Sequence, residues 1–308
     1  MRCLVTGARG FLGSHLVDQL VARGDEVFAL VREAGRRSPF WPAGVQTDQS
    51  DPTDRSDLTE LLKRVAPDQI FHLAAQSYPN VSWQDPQGTF SANLTGTAVL
   101  LEAVRAWGGP ARVMVTSSSA VYAVSADPIP ETGKLAPSSP YGVSKLAADS
   151  AAALYHQRYG LNVVRIRPFF LIGPRKRDDV CSDFARRIAH LEGQGGGTMK
   201  VGELSMVRDF LDVRDGIAGI LTVMEKGVMG EVHNICSGTG YAVRQILDIY
   251  KTLANVPVQD ELDPALVRPV EEPVKIGYPA RLKALGWTPA HTLEQSLATI
   301  LAYWRTGG

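Results

Sequence analysis

The first 23 residues carry the feature that most constrains the fold: a short apolar run, then a glycine-rich loop and a helical pattern. Residues 2–5 are typical of a buried strand, residues 6–13 (TGARGFLG) of a loop and residues 14–23 of a helix. A strand that passes through closely spaced glycines into a helix indicates a dinucleotide-binding βαβ unit, with the helix N-terminus facing the phosphates. We therefore predict cofactor contacts at Gly7, Gly10, Phe11, Leu12 and Gly13.

Strand and helix patterns then alternate, which predicts a parallel sheet. Further strands are expected at 26–31, 45–47, 69–73, 112–116 and 162–167. The predicted fold class is α/β, a Rossmann doubly wound parallel sheet with a second, smaller α/β substrate lobe. We expect the dinucleotide-binding domain at 1–167, with a returning segment at about 206–230, and the second lobe at 168–205 and 231–308.

The end of the second strand bears on which dinucleotide is bound. NAD binders usually have an acidic residue there for the ribose 2′-hydroxyl, whereas an arginine accommodates a 2′-phosphate. Here the strand ends in Val31-Arg32, and Arg9, Arg36 and Arg37 add positive charge. NADP(H) is therefore the preferred cofactor and NAD(H) the alternative, since these arginines could also be solvated loop residues.

The ends of the other strands supply further candidate cofactor contacts. Asp48 and Gln49 are expected beside the adenine, and small residues after the fourth strand suit a chain that passes close to a cofactor. The additional residues are Leu73, Ala74, Ala75, Thr116 and Pro168.

A tyrosine and a lysine four residues apart form the candidate catalytic pair. Pro140 and the alanine-rich run after it predict a helix, which places the Tyr141 phenol beside the Lys145 ammonium. A free tyrosine titrates near pH ~10, and a neighbouring cation lowers that pKa. The pair could therefore exchange a proton near neutral pH. An isolated YxxxK is more often a surface tyrosine and a solvated lysine.

Composition argues against several classes of protein. The chain has 308 residues, 44% of them hydrophobic, a formal net charge of zero and no basic run that indicates nucleic acid. It has no run of membrane-spanning length and no signal-peptide pattern, so a cytoplasmic protein without a membrane partner is expected. Cys3, Cys181 and Cys236 are scattered and lack metal-ligand spacing, which predicts reduced thiols and no metal site.

Five motifs, in this order, resemble the extended short-chain dehydrogenase/reductase family of nucleotide-sugar epimerases, dehydratases and reductases. They are TGARGFLG (6–13), HLAA (72–75), NLTGT (93–97), SSSAVY (117–122) and SPYGVSK (139–145). The resemblance implies that hydride passes between the nicotinamide and a sugar carbonyl carbon. It assigns the proton transfer to Tyr141, a hydrogen bond to the sugar oxygen to Ser118, and ribose binding and tuning of Tyr141 to Lys145.

The same resemblance bears on oligomeric state. Relatives pair through the helices predicted at 93–107 and 141–158, which here carry apolar residues and alanines on more than one face. The excess residues are Val99, Leu100, Leu101, Leu146, Ala147, Ala151 and Leu154. A homodimer is therefore expected.

The C-terminal half resembles the branch that contains GDP-mannose dehydratases and, more closely, GDP-4-keto-6-deoxy-D-mannose reductases. The resembling stretches are RPFFLIGP (167–174), DFARRIA (183–189), VGELSMVRDFLDVRD (201–215), HNICSGTG (233–240), DPALVRPVEEP (263–273) and GW (286–287). The resemblance implies a GDP-hexose substrate bound by the smaller lobe, with Arg187, Arg208 and Arg268 on the diphosphate. It also implies sugar contacts at Ser82, Ser118 and Ser119.

Two departures from that branch narrow the reaction. Ala120 stands where such dehydratases carry a glutamate that removes a sugar proton, so reduction or epimerisation is favoured. Phe170 and Leu171 replace the usual Asn-His pair. The expected activity is NADPH-dependent reduction of the C4 keto group of a GDP-4-keto-6-deoxy-hexose, with a nucleotide-sugar 4-epimerase that holds NAD tightly as the alternative. A non-catalytic NADP-binding regulator is the third possibility, against which the intact Ser118, Tyr141 and Lys145 argue.

Overall fold

The computed structural model describes residues 1–31, 38–50, 53–267 and 272–307. Its main body is a seven-stranded sheet of β1 (Arg2–Thr6), β2 (Glu26–Val31), β3 (Gln46–Gln49), β4 (Gln69–His72), β5 (Arg112–Thr116), β6 (Val163–Pro168) and β11 (Val232–Ile235). The strands lie in the order β3-β2-β1-β4-β5-β6-β11, and every pairing is parallel. This order confirms the predicted Rossmann fold and places its topological switch point between β1 and β4.

Helices cover both faces of this sheet. The covering helices are α1 (Phe11–Ala22), α2 (Arg55–Val65), α5 (Gly96–Trp107), α6 (Pro140–Tyr159) and α8 (Val213–Lys226). Alternate side chains of β1 face opposite layers: Val5 packs in one core with α1 and α8, whereas Leu4 packs in another with α2 and α5. Because both faces are buried, β1, β2 and β5 are rich in buried apolar residues, as parallel strands usually are, whereas the edge strand β3 (QTDQ) is polar and mostly exposed.

A smaller group of elements has its own core. It contains α7 (Val180–Glu192), α9 (Val243–Leu253), α11 (Leu293–Arg305), β8 (Gly197–Val201) and β13 (Val258–Leu262). Phe184, Ile188, Leu247, Tyr250 and Leu297 are buried together between these helices and strands. The boundaries between the two lobes stay a prediction, but the chain returns to the large sheet as far as β11, beyond the segment expected at about 206–230.

Short elements connect these parts. The strands β7 (Phe170–Ile172), β9 (Val207–Arg208), β10 (Phe210–Asp212), β12 (Tyr241–Ala242) and β14 (Val274–Lys275) form two small sheets, β10-β7 and β12-β9-β14. The helices α3 (Pro79–Gln84), α4 (Pro86–Phe90) and α10 (Ala280–Ala284) complete the chain. A π-helical turn at Ser91–Thr95 precedes α5, where the sequence predicted one continuous helix from residue 93.

None of the described helices combines the length and the apolar character that crossing a bilayer requires.

Candidate active site

The glycine loop is packed against the chain that leaves β4. Gly7 has a φ of +68°, and a Cβ at this position would lie 2.7 Å from the backbone nitrogen of Ala74. A Cβ on Gly13 would lie 2.2 Å from the carbonyl oxygen of Gly7. Only glycine allows these approaches, so the loop is held directly at the switch point of the sheet.

The loop leaves the N-terminus of α1 open for an anion. Gly10 is the N-cap residue and offers no side chain to the amides of the first turn, which contains no acidic residue. Gly10 and Arg9 are both exposed. A helix N-terminus with free amides and a nearby arginine is suited to a pyrophosphate.

Two further observations bear on a dinucleotide site at the carboxyl ends of the parallel strands. The Thr116 hydroxyl, at the end of β5, is buried and has no hydrogen-bond partner. Phe11, at the start of α1, is half-buried with the Lys176 ammonium 5.3 Å from its ring centroid. The tightly packed glycine loop, the open N-terminus of α1 and the unsatisfied Thr116 hydroxyl therefore fit the dinucleotide that the sequence predicts.

The other predicted cofactor residues occupy varied positions. Leu73 and Ala74 are half-buried against the loop and Ala75 is exposed, while Pro168 ends β6. Asp48 forms an ion pair with Arg64, and Gln49 ends β3. Leu12 is half-buried on α1. Arg32 and Arg268 lie outside the described residues.

A buried histidine ties the loop to its surroundings. His72 Nδ1 lies 2.9 Å from Thr6 Oγ1, and His72 Nε2 lies 2.9 Å from Thr97 Oγ1 on α5. The Thr6 hydroxyl also accepts a hydrogen bond of 3.1 Å from the Ala74 amide. Burial, and secondarily the charge of Lys145, lowers the pKa of His72 to about 3, so the imidazole is neutral at physiological pH.

Tyr141 and Ser118 are brought together at the same edge. Pro140 opens α6, and the Ser139 hydroxyl caps it by accepting from the Gly142 amide at 3.1 Å. Tyr141, in the first turn, is half-buried, and the Ser118 side chain lies close enough to it to influence its pKa. Burial raises the pKa of Tyr141, and the Ser118 side chain lowers it by a smaller amount. The predicted lowering of this pKa by Lys145 is therefore wrong for this structure, in which burial prevails.

Lys145 lies one turn further along α6 and is 5% exposed. Burial lowers its pKa to about 8, while the negative charge of Asp149 acts in the opposite direction. The Ser117 hydroxyl donates to the Lys145 carbonyl oxygen at 3.3 Å, which joins the helix to the segment that carries Ser118. A buried ammonium with this pKa is mostly charged at pH 7 and loses its proton just above neutrality, so it is sensitive to its neighbours.

Asn93 is a site residue whose role the sequence did not reveal, although its motif was noted. In the π-helical turn, its amide nitrogen donates to the Gln76 carbonyl and to the Ser144 hydroxyl, each at 2.9 Å. Its amide oxygen accepts from the Gln76 amide at 2.7 Å. The Ser144 hydroxyl in turn donates to the Tyr141 carbonyl at 2.7 Å. Asn93 thus connects the chain after β4 to the first turn of α6, which carries Tyr141.

The predicted substrate residues are only partly assembled. Ser118 and Ser119 are buried beside α6, but Ser82 is fully buried and its hydroxyl donates to the Pro79 carbonyl of its own helix at 2.6 Å. Arg187 donates to the Asp183 carboxylate at 3.3 Å and to the Lys200 carbonyl. A surface cavity of about 450 Å³ is lined by Arg186, Arg187, His190, Leu191, Thr198 and Met199, but not by Arg208.

Arg208 is held by main-chain oxygens and an aromatic ring. Its Nη1 donates to the carbonyl oxygens of Val207 at 2.9 Å and Pro273 at 3.3 Å. Its guanidinium carbon lies 5.4 Å from the ring centroid of Phe170, one of the two residues that depart from the related branch. No carboxylate within the described residues forms an ion pair with Arg208, so this half-buried cation remains able to bind an anion.

Comparison with known proteins identifies similar chains over the full length. The family model described as GDP-mannose 4,6 dehydratase matches residues 4–300. A GDP-6-deoxy-D-mannose reductase from Pseudomonas aeruginosa is 36% identical over 311 residues, which cover 99% of this chain and 97% of the relative.

Solved structures are similar to the same extent. The structure of RMD from Pseudomonas aeruginosa with NADPH has a TM-score of 0.85 and 32% identity, with complete coverage of both chains. The UDP-glucose 4-epimerase of Thermotoga maritima with UDP-glucose has a TM-score of 0.89 and 28% identity, and the match covers 100% of this chain and 99% of that one.

Proposed function

The chain belongs to the GDP-mannose 4,6-dehydratase family, and from this premise we propose that it is an NADPH-dependent reductase of a nucleotide sugar. The proposed substrate is a GDP-4-keto-6-deoxy-hexose, and the reaction reduces its C4 keto group to an alcohol. The observation that carries this proposal is the proximity of Ser118 and Tyr141 at the carboxyl edge of the sheet, the edge that also carries the glycine loop. The similarity to the Pseudomonas aeruginosa reductase, and to its structure with NADPH, supports the choice of substrate and cofactor.

The side chain at residue 120 supports reduction over dehydration. Ala120 is next to the catalytic residues: its amide donates to Ser118 Oγ at 3.1 Å, and its carbonyl oxygen would lie 2.6 Å from a Cβ on Gly142. A methyl group at this place cannot remove a proton from the sugar. Loss of water from a hexose therefore lacks its base, whereas reduction of a ketone needs only hydride and the Tyr141 proton.

The chain's own residues supply the proton and the binding contacts. NADPH, when bound at the glycine loop, supplies the hydride. Tyr141 donates its phenolic proton to the C4 oxygen as that oxygen gains charge, and the Ser118 hydroxyl donates a hydrogen bond to the same atom. The Lys145 ammonium would bind the ribose hydroxyls, and Arg9 on the open loop would favour a 2′-phosphate.

The smaller lobe is the proposed site of the GDP group. A diphosphate requires cations, and the planar guanidinium of arginine suits phosphate oxygens. Arg208 has no ion-pair partner within the described part of the chain, and Arg187 makes a 3.3 Å contact with Asp183 that a phosphate can replace.

A direct assay tests the proposed function. The enzyme is mixed with NADPH and GDP-4-keto-6-deoxymannose, and the loss of NADPH absorbance is followed. Turnover well above a Tyr141→Phe control supports the proposal. A rate no greater than that control overturns it.

A 4-epimerase with tightly bound NAD is the second candidate, favoured by the TM-score of 0.89 to the Thermotoga maritima epimerase. The nucleotide carried by the purified protein separates the two functions. Protein that retains NAD through purification and interconverts C4 epimers is an epimerase. Protein that carries no NAD and prefers added NADPH over NADH is the proposed reductase.

We predict that reductase activity is lost as pH rises through about 8. Both proton-bearing groups must be protonated for reduction, and burial raises the pKa of Tyr141 but lowers that of Lys145 to about 8. Lys145 therefore loses its proton first, and with it the charge that binds the ribose. A kcat/KM profile from pH 6 to 10 tests this. A plateau that extends to the ordinary lysine range, near pH ~10, contradicts it.

The proposed homodimer rests on the exposed side of α6. Leu100 and Leu101, predicted to be available for an interface, are instead buried in the core against α2. Leu154 and Tyr159 on α6 remain 61% and 51% exposed, which favours a second subunit on this face. We expect the mass of a dimer by light scattering and a monomer for Leu154→Asp. Leu262→Asp, at a residue 59% exposed on β13, is the matched control and should remain a dimer.

A further inference from the structure

A fully buried carboxylate lies behind the catalytic turn of α6. Asp149 is 1% exposed and one helical turn from Lys145. Its Oδ1 accepts from Arg165 Nη1 at 2.5 Å, and its Oδ2 accepts from Arg167 Nε at 2.7 Å. Burying one anion with two cations is costly unless the charges compensate one another. Lys145 is a third cation on the same helix, one turn from Asp149, and the negative charge of Asp149 opposes the lowering of the Lys145 pKa by burial.

Among the residues that the structure describes, few titratable groups lie near Lys145. On α6 they are Tyr141 and Asp149, and on β4 the group is His72, which is neutral at physiological pH. The remaining charged groups on the elements packed against α6 are engaged elsewhere. Glu102 accepts from Arg105 and from the Tyr155 hydroxyl, Arg112 binds the Gly227 carbonyl, and Arg165 and Arg167 bind Asp149.

The carboxylate is also connected to the segment that carries Ser118. Arg167 Nη1 donates to the Tyr122 hydroxyl at 2.9 Å and to the Glu131 carbonyl at 3.1 Å. The Tyr122 hydroxyl donates to Asn234 Oδ1 at 2.7 Å. These contacts hold Arg167 in place without Asp149. A variant that removes the Tyr122 contact should therefore leave the Asp149 carboxylate in its position.

We propose that Asp149 is a positioning residue of the reaction, whose negative charge keeps the buried Lys145 ammonium protonated at neutral pH. This inference rests on the proposed role of Lys145. Asp149 touches neither reactant and acts through the helix turn that separates it from Lys145, a spacing at which side chains are neighbours. Without the Asp149 carboxylate, burial would favour the neutral form of Lys145. The positive charges of Arg165 and Arg167, no longer compensated, would act in the same direction.

The test is the pH dependence of NADPH affinity and of turnover in Asp149→Asn. Removal of an opposite charge within about 4–6 Å of a titrating group shifts its pKa by about one unit or more, and Asp149 lies one helical turn from Lys145. We expect both the loss of NADPH affinity and the alkaline loss of kcat/KM to move from about pH 8 to about pH 7 or below. Asp149→Glu, which keeps the charge, should restore the higher value. NADPH affinity, measured by nucleotide fluorescence, needs no sugar substrate, so it tests the inference even if the proposed reduction is not found.

Two controls separate this effect from a loss of stability. Asp215→Asn removes another buried helix carboxylate, 3% exposed and bound to His291, and should lower stability without moving the pH profile. Tyr122→Phe breaks the far end of the network and should also keep the profile of the parent protein. An unchanged profile in folded Asp149→Asn overturns the proposal.

A double variant serves if the single variant does not fold. Removing one partner of a buried pair leaves an uncompensated charge, whereas replacing both can be nearly neutral. Asp149→Asn with Arg165→Met removes both, and Arg165 is the more exposed of the two arginines. The same downward shift is expected in this variant, and its absence there overturns the proposal equally.

Discussion

Tyr141→Phe is expected to lower kcat for NADPH-dependent reduction by about 10²- to 10⁴-fold, the range that general acid catalysis contributes. The phenol is the proton donor proposed for the C4 oxygen, and phenylalanine keeps the ring while removing the proton. Ser118 would remain next to the reacting oxygen but cannot replace a group that the helix holds at this place. Steady-state assays at saturating NADPH measure the effect.

The matched control is Tyr155→Phe on the same helix. The Tyr155 hydroxyl donates to Glu102 at 2.6 Å, away from the glycine loop, so this variant should keep the parent rate. NADPH affinity should be unchanged in both variants. If Tyr141→Phe retains kcat within about tenfold of the parent, Tyr141 does not act as the general acid.

Gly7→Ala is expected to abolish measurable NADPH binding and to lower the melting temperature. The added Cβ would lie 2.7 Å from the Ala74 nitrogen and 2.8 Å from the Leu73 carbonyl carbon, both backbone atoms that cannot move separately. Overpacking of this kind costs about 1–3 kcal/mol of unfolding free energy, and the left-handed backbone adds about 1–2 kcal/mol. The displaced loop could then no longer present its amides to a pyrophosphate.

Gly24→Ala separates the two contributions. Gly24 has a φ of +81°, similar to that of Gly7, but a Cβ there meets no atom within 4 Å. It should therefore show the backbone cost alone, a smaller loss of melting temperature and the parent affinity for NADPH. Equal losses in the two variants would mean that contact with the chain after β4 is unimportant. Calorimetry and fluorescence titration measure both quantities.

Local signals explain how much of the fold could be predicted. Helix α11 (Leu293–Arg305) follows a capping box of Thr292 and Gln295, a local signal that the sequence itself carries. Most strands of the large sheet are short apolar runs that alternate with helices, which made a parallel sheet predictable, but β11 was assigned to the smaller lobe. Helices α3 and α4 were not predicted, because each is short and begins with a proline, a residue that in a sequence usually indicates a turn or the end of a helix.

The candidate site was predictable where it depends on motifs and not where it depends on tertiary burial. The meeting of Ser118 with Tyr141 was expected from two motifs. The raised pKa of Tyr141 was not, because burial outweighs the opposing effect of the Ser118 side chain. The pairing of Asp149 with Arg165 and Arg167 joins α6 to β6. Sequence periodicity does not show which side chains of a helix and a neighbouring strand will meet, so this pairing could not be predicted. Leu100 was misjudged for the same reason, since only the packing of α2 decides that it is buried.

The neutral histidine between β1, β4 and α5 determines how the cleft responds to acid. With a folded-state pKa of about 3 against an ordinary value near ~6.5, His72 stays uncharged in the native protein while it gains a proton when unfolded. Stability from this residue is complete above about pH 6.5 and declines progressively as pH falls below that value. Mild acidity therefore lowers the free energy of unfolding, so that fewer molecules are folded. In the molecules that remain folded, His72 stays neutral and the glycine loop keeps its shape.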